Sequence, residues 1–199
     1  MAHHTFKIHK PYDMLSQLIS NDGHQTRKKR FLSELYDFPE GTMPVGRLDE
    51  KSEGLLLLTT DGKLCNAVNQ SGVEKEYLAQ LDGLITDGAV AELAKGVEIG
   101  KDGAKYNTKP CKVSKLTIEP DLQPASVKIR IGRHRPNSWV SITLTEGKFR
   151  QVRKMTAAVG YPTLRLIRLR IGNISLENLS LGEVKPLTNL TAKCEHFNS

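Results

Sequence analysis

The stretch from Met43 to Gly62, MPVGRLDEKSEGLLLLTTDG, sets the tightest limit on what this chain can become. Leu55 to Leu58 are four apolar residues in a row. That run is too short to cross a membrane and lacks the alternation of a strand with one wet face. It specifies a strand buried on both faces, read here as Ser52 to Thr60 and closed by the turn dipeptide Asp61-Gly62. Val45 to Leu48 reads as an emerging strand before it. Asp49 is left between the two, preceded by Arg47 and followed by Glu50 and Lys51. A carboxylate on a short loop pinned at both ends is a usual layout for a catalytic group. Taken alone, Asp49 has a plainer reading as an Asx-turn acceptor beside a surface cation.

The whole chain has 199 residues, enough for one sizeable domain or two small lobes sharing a cleft. Lys and Arg number 29 against 22 Asp and Glu, and the net charge of +7 suits a polyanionic partner, most simply nucleic acid. Cys65, Cys111 and Cys194 are odd in number, far apart and in no CxxC arrangement, which points to a reducing compartment without structural zinc. No run reaches membrane length and the N-terminus has no signal-peptide core. The expectation is a soluble, cytoplasmic, monomeric protein.

Along the chain, Thr5 to Pro11 alternates Phe6 and Ile8 inward with Lys7 and His9 outward, a half-buried strand. Thr26 is expected to cap a helix running to about Phe38, with Phe31, Leu32, Leu35 and Tyr36 on its apolar face. The cations from Arg27 to Arg30 would then sit at a helix N-terminus, against the macrodipole, as a solvated face or a phosphate contact. Lys63 to Gln70 reads as a short helix. Lys75 to Leu81 is a strand with Tyr77, Ala79 and Leu81 on one side, where Tyr77 is by itself an ordinary half-buried aromatic. Thr86 caps a helix ending at Gly96, and Asp102-Gly103 is a hairpin signal. Val127 to Ile131 alternates as a strand, Arg133 and Arg135 lie in a basic loop, and Trp139 opens a further strand.

EGKFRQVRKMTAAVG, from Glu146, is the second informative stretch. From Arg150 it reads as an amphipathic helix ended by Gly160, with Val152, Met155 and Val159 on one face. Arg150 and Lys154 lie opposite, and Arg153 lies at the boundary. In the following strand, Leu164 to Ile171, the apolar phase slips between Leu166 and Ile167, which predicts a bulge or break.

Three of these strings belong together. GRLD with Ser52, Gly54 and the leucines closely resembles the signature of the RsuA/RluB/E/F family of pseudouridine synthases, HKPYDMLSQ its opening strand, and EGKFRQVRKM its third motif. Thr60 and Phe149 stand where Asn is common. The resemblance runs from Lys7 to about Lys185 and is to the short subgroup acting on large-subunit (23S) rRNA, without the S4-type domain that other members carry before the catalytic domain. It implies an α+β fold, a mixed and mostly antiparallel sheet in two halves flanking a central catalytic cleft. The chain is then one domain, residues 1–199, with its core at about 5–187 and a tail at 188–199. By the same resemblance Asp49 is the catalytic aspartate, Arg153 its ion-pair partner, and Tyr77 the aromatic that packs on the base and assists proton transfer. Arg47, Lys75, Arg133, Arg135, Lys148, Arg150 and Lys154 would hold RNA phosphates.

The chemistry suits those residue types. Making a C-glycoside from uridine requires breaking the N-glycosidic bond, turning the base and joining C5 to C1′. An ionised carboxylate serves either as nucleophile at C1′ or by removing a ribose proton. A guanidinium keeps it charged in a partly desolvated site. No redox step, group donor or metal is required, so no cofactor is expected, and the uridine must leave its stack to react. Two other readings fit a basic α+β chain. One is a non-catalytic rRNA-binding assembly protein, which has no need of Asp49, Tyr77 and Arg153 together. The other is an N-glycoside hydrolase, which would need a second carboxylate to activate water.

Overall fold

A computed structural model describes residues 3–101, 103–124, 136–188 and 190–191. In chain order the elements begin with β1 (Thr5–Lys10), α1 (Gly23–Lys28), a 3-10 turn (Leu32–Glu34), β2 (Met43–Val45), β3 (Glu53–Thr59) and α2 (Gly62–Gln70). There follow β4 (Lys75–Asp82), α3 (Asp87–Lys95), β5 (Glu98–Lys101), β6 (Ala104–Asn107), β7 (Lys112–Lys115), β8 (Asn137–Leu144) and α4 (Gln151–Ala158). The chain ends in β9 (Thr163–Ile171), β10 (Ile174–Ser175) and β11 (Val184–Pro186). This is the expected α+β class. The chain forms two compact units, one from residues up to Val73 and from Arg168 onward, the other Glu74–Ile167.

In the first unit the strand order is β11-β1-β3-β9, with β2 also on β3 and β10 on β9. Leu55, Leu56, Leu57 and Leu58 are all fully buried, as a two-faced interior strand requires. Leu55 and Leu57 pack with Val45, Cys65, Val68, Ile171, Ile174 and Leu179. Leu56 and Leu58 stand in register opposite Ile8 and Phe6 of antiparallel β1. Each leucine buried this way contributes about 2 kcal/mol. Gly54, at φ +105°, is required because a β-carbon there would run into the backbone of Arg168.

Three local expectations are corrected in this unit. The strand before Asp49 is Met43–Val45, paired with Thr59 to Leu57, and residues 46–52 form the loop. β1 is not half-exposed: His9 is buried because the loop returning from Leu179 to Glu183 packs on it, and Lys10, on the opposite face of the strand, is buried as well. His9 Nδ1 lies 3.2 Å from the Leu179 carbonyl, and the Gly182 N–H donates to His9 O at 2.9 Å. The helix expected from Thr26 is the shorter Gly23–Lys28. Asp22 caps it by accepting from the N–H groups of His24 and Gln25, while Thr26 Oγ1 donates back to Asp22 O. Arg27 and Lys28 therefore fall in the last turn, where the macrodipole favours cations.

In the second unit the order is β9-β4-β8-β7, with a separate β5-β6 hairpin. β4 and β8 pair antiparallel over their full length, Lys75↔Leu144 to Asp82↔Asn137. Thr86 caps α3 through Ala89 N at 3.3 Å, and Gly96 ends it at φ +94°. The expected hairpin closes at Lys101↔Ala104. The predicted strand from Val127 to Ile131 lies outside the described residues. β9 shows no break at Leu166: it runs unbroken, and Arg165 to Arg168 are buried in succession. The phase slip marks burial on both faces, and the division between the two units falls just after Ile167.

Candidate active site

Asp49 is half-buried on the 46–52 loop, and its neighbours on both sides are fastened to the segment after β1. Leu48 N donates to Ser16 Oγ at 3.0 Å while that hydroxyl donates to Leu48 O at 2.8 Å. Glu50 O accepts from the Asp13 N–H at 2.8 Å and from Lys10 Nζ at 3.3 Å, and the Glu50 carboxylate pairs with Lys29 at 2.8 Å. Ser52 N closes the loop onto Asp49 O at 3.0 Å. The backbone of Asp49 is thus fixed from both ends by groups distant in sequence.

Beneath the loop lies a buried charged layer that sequence reasoning missed. Lys10 has no exposed surface, Glu53 is 3 % exposed and Arg168 2 %. Lys10 Nζ donates to the carbonyls of Pro11 at 2.8 Å and Met14 at 2.6 Å as well as to Glu50, and Arg168 Nε donates to Leu55 O at 2.7 Å. Burial pushes the Lys10 ammonium down to about 7; Glu53, Glu50 and Asp49 oppose that shift and Arg168 adds to it. The alternation of Phe6 and Ile8 against Lys7 and His9 left Lys10 unassigned. The only sequence signal was the Pro11 beside it, which ends β1 and frees carbonyls that need a donor.

Tyr77 and Arg153 belong to the second unit. Tyr77 is buried in β4, opposite Ile142 of β8 and on the face of Ala79 and Leu81, as its spacing requires. Arg153 lies in the first turns of α4, half-buried, and its Nη1 donates to Thr163 O at 3.2 Å. The start of α4 is set by Glu146, another residue the sequence did not single out. Its carboxylate accepts from Tyr106 Oη at 2.5 Å, Lys109 N at 3.0 Å and Gln151 Nε2 at 2.6 Å. Partial burial acts to raise the Glu146 carboxyl, and these hydrogen bonds outweigh it and hold the group below its ordinary range. Gln151 also accepts from Lys148 N at 2.9 Å. Arg150 sits between them at φ +54°, a left-handed conformation that is costly for a non-glycine residue.

The cations expected to meet RNA differ in freedom. Arg47 and Arg150 are exposed, and Lys75 is half-buried at the start of β4. Lys148 lies over the Tyr106 ring at 5.2 Å; Lys154 donates to Gly100 O at 2.7 Å and lies over Phe149 at 5.2 Å. Arg133 and Arg135 lie outside the described residues. Among the described residues no group of three or more His, Cys, Asp or Glu could hold a metal ion, and no helix is long and apolar enough to cross a membrane.

Residues 4–158 match the family model of RNA pseudouridylate synthases. The chain belongs to that family. It is 38% identical over 183 residues to the ribosomal large subunit pseudouridine synthase E of Vibrio vulnificus, covering 91% of this chain and 74% of the relative. It is 39% identical over 178 residues to the protein of the same name from Xanthomonas campestris pv. campestris, covering 88% and 91%. A crystal structure of a pseudouridylate synthase superposes with a TM-score of 0.72 at 30% identity, over 94% of this chain and 71% of that one. The family membership makes the chain an isomerase acting on RNA, with the pseudouridine synthase fold.

Proposed function

We propose that this protein isomerises one uridine of large-subunit (23S) ribosomal RNA to pseudouridine, with Asp49 as the carboxylate that acts at the ribose. The observation that carries the reading is the family match over residues 4–158, joined to relatives that share 38% and 39% identity and are named for the large ribosomal subunit. A half-buried aspartate clamped at Leu48 and Glu50 supports the role, because a group that attacks C1′ or removes a ribose proton must be held in place. Arg153 balances the Asp49 charge. Tyr77 confines the released uracil so that it turns and rebonds through C5, its C5 proton leaving and N1 gaining one. Arg47, Lys75, Arg133, Arg135, Lys148, Arg150 and Lys154 hold the backbone. The protein works in the cytoplasm as a monomer.

The test is a pseudouridine map of rRNA from cells lacking this protein, complemented with wild type or Asp49→Asn. One site should vanish on deletion, return with wild type and stay absent with Asp49→Asn, whose rate should be lower by about 10³-fold or more. Persistence of every site, or restoration by Asp49→Asn, sinks the catalytic reading.

A further inference from the structure

A concavity lies in the first unit beside the Asp49 loop. It encloses about 500 Å³ between the segment after β1 and the stretch leading into β2. Its walls include Ser16, Ile19, Tyr36, Phe38, Glu40 and Arg47. Two of these tie it to the candidate active site. Ser16 is the residue that clamps Leu48, and Arg47 is two positions before Asp49, roughly 7 Å of extended chain at most.

Its walls are preformed. Leu32 N donates to Gln17 O at 2.8 Å and Ser33 Oγ to Leu18 O at 2.7 Å, joining the two sides. Thr42 Oγ1 and N both donate to Pro39 O, closing the turn at the rim. Tyr36 is backed by Phe6 at 5.6 Å and Phe38 at 5.2 Å between ring centroids, and Phe6 and Phe38 meet edge to face at 5.4 Å. Phe6 is buried, yet Tyr36 remains 48% exposed. An aromatic ring held by two others with an open side is a stacking platform.

The polar lining selects what can stack there. Asp37 and Glu40 also line the cavity, and neither has a hydrogen bond or ion pair among the described residues. Two carboxylates repel a phosphate and accept from the amino groups of adenine, guanine or cytosine. Arg47, exposed at the rim, has the charge for the phosphate that follows.

We propose that this cavity receives an unpaired, amino-bearing nucleobase of the rRNA neighbouring the target uridine, stacked on Tyr36. The site would fix which uridine enters by reading its neighbour. The inference rests on the RNA-modifying reading of the Asp49 loop.

The test uses the full chain and rRNA transcripts spanning the mapped uridine, with an abasic nucleotide placed at each flanking position in turn. At one position the abasic substitution should raise the wild-type KM about tenfold with kcat little changed. Tyr36→Ala should raise KM by about the same factor on intact transcript, with no further rise on that abasic one. Tyr36→Phe and Tyr36→Trp, which keep a ring, should match wild type. Uracil at the same position should bind less well than the native base. If no abasic position changes the wild-type KM, or if the Tyr36→Ala and abasic effects simply add, the cavity is not a base site. A wild-type protein that forms no pseudouridine in any transcript overturns the functional reading instead, which separates the two failures.

Discussion

The Asp49 loop and the Glu146–Lys154 segment each carry one of the proposed catalytic charges, Asp49 and Arg153, and they are stiffened by opposite means. The loop rests on interior groups: the Lys10 ammonium, fully buried, and the Ser16 hydroxyl, which both donates and accepts. The start of α4 is held instead by a half-buried carboxylate, Glu146, gathering three donors at the edge of the unit. A left-handed non-glycine residue accompanies each region: Asp13 at φ +62°, whose N–H holds Glu50 O, and Arg150 at φ +54°. Backbone strain of that kind persists only where surrounding bonds over-determine it, and it concentrates at functional sites. The difference teaches that the aspartate is positioned by removing solvent, and the arginine's helix by satisfying an ion that solvent still reaches.

The largest test of that contrast is Lys10→Met. The carbonyls of Pro11, Met14 and Glu50 would lose their buried donor, a neutral amine with two N–H groups at pH 9, and the expected loss at that pH is about 3 kcal/mol of unfolding free energy. Activity should fall as well, because Glu50 is the residue after Asp49. The pH dependence carries a sign. Lys10 titrates near 7 in the fold against an ordinary 10.5, so between those values the unfolded chain holds more protons. Wild-type stability should therefore rise with pH across that window, relative to Lys10→Met, and the gap between them should narrow at pH 6. Urea unfolding of both proteins at pH 6 and pH 9 reads this; an equal gap at both pH values would remove the buried ammonium from the account.

Glu146→Gln should have the next largest effect. An amide offers one acceptor oxygen to three donors, and a loss of about 1.5 kcal/mol is expected at pH 7. Here the sign is reversed. A carboxyl held below its ordinary 4.5 contributes stability that is present above that value and lost as pH falls through its folded pKa. Thermal unfolding of wild type and Glu146→Gln should thus converge in acid, below the window where Lys10 acts. Divergence on acidification would show that the carboxylate is not what holds α4.

Arg150→Gly should have the smallest effect and the most pointed one. Glycine relieves the left-handed strain and is tolerated at a helix N-cap, so stability should rise by up to about 1 kcal/mol. RNA binding should weaken, and the salt dependence of its affinity should lose about one unit of slope if Arg150 meets a phosphate. A destabilised protein with unchanged RNA affinity would reverse both halves of the prediction.

Much of the fold was legible in the chain because its signals are local. Leu55–Leu58 required a two-faced strand, Thr86 and Gly96 bounded α3, and the apolar spacing of Val152 and Met155 marked the buried face of α4. Asp49 was legible as a loop carboxylate for the same reason. What failed were judgements that depend on what lies across from a residue. Thr26 looked like a cap until Asp22 proved better placed, and His9 looked outward because alternation cannot see the loop from Leu179 that packs on it.

The sequence by itself determined the family, the class of chemistry and the identity of the strands that hold the site, since these rest on motif spacing and hydrophobic period. Only the tertiary structure decided that Lys10 is an interior cation, that Ser16 fastens Leu48, and that Glu146 organises the start of α4. Each joins residues 32 or more positions apart, or satisfies carbonyls that strand ends leave open. Long-range hydrogen bonds depend on where the backbone brings donors and acceptors together, and residue order alone does not specify that position.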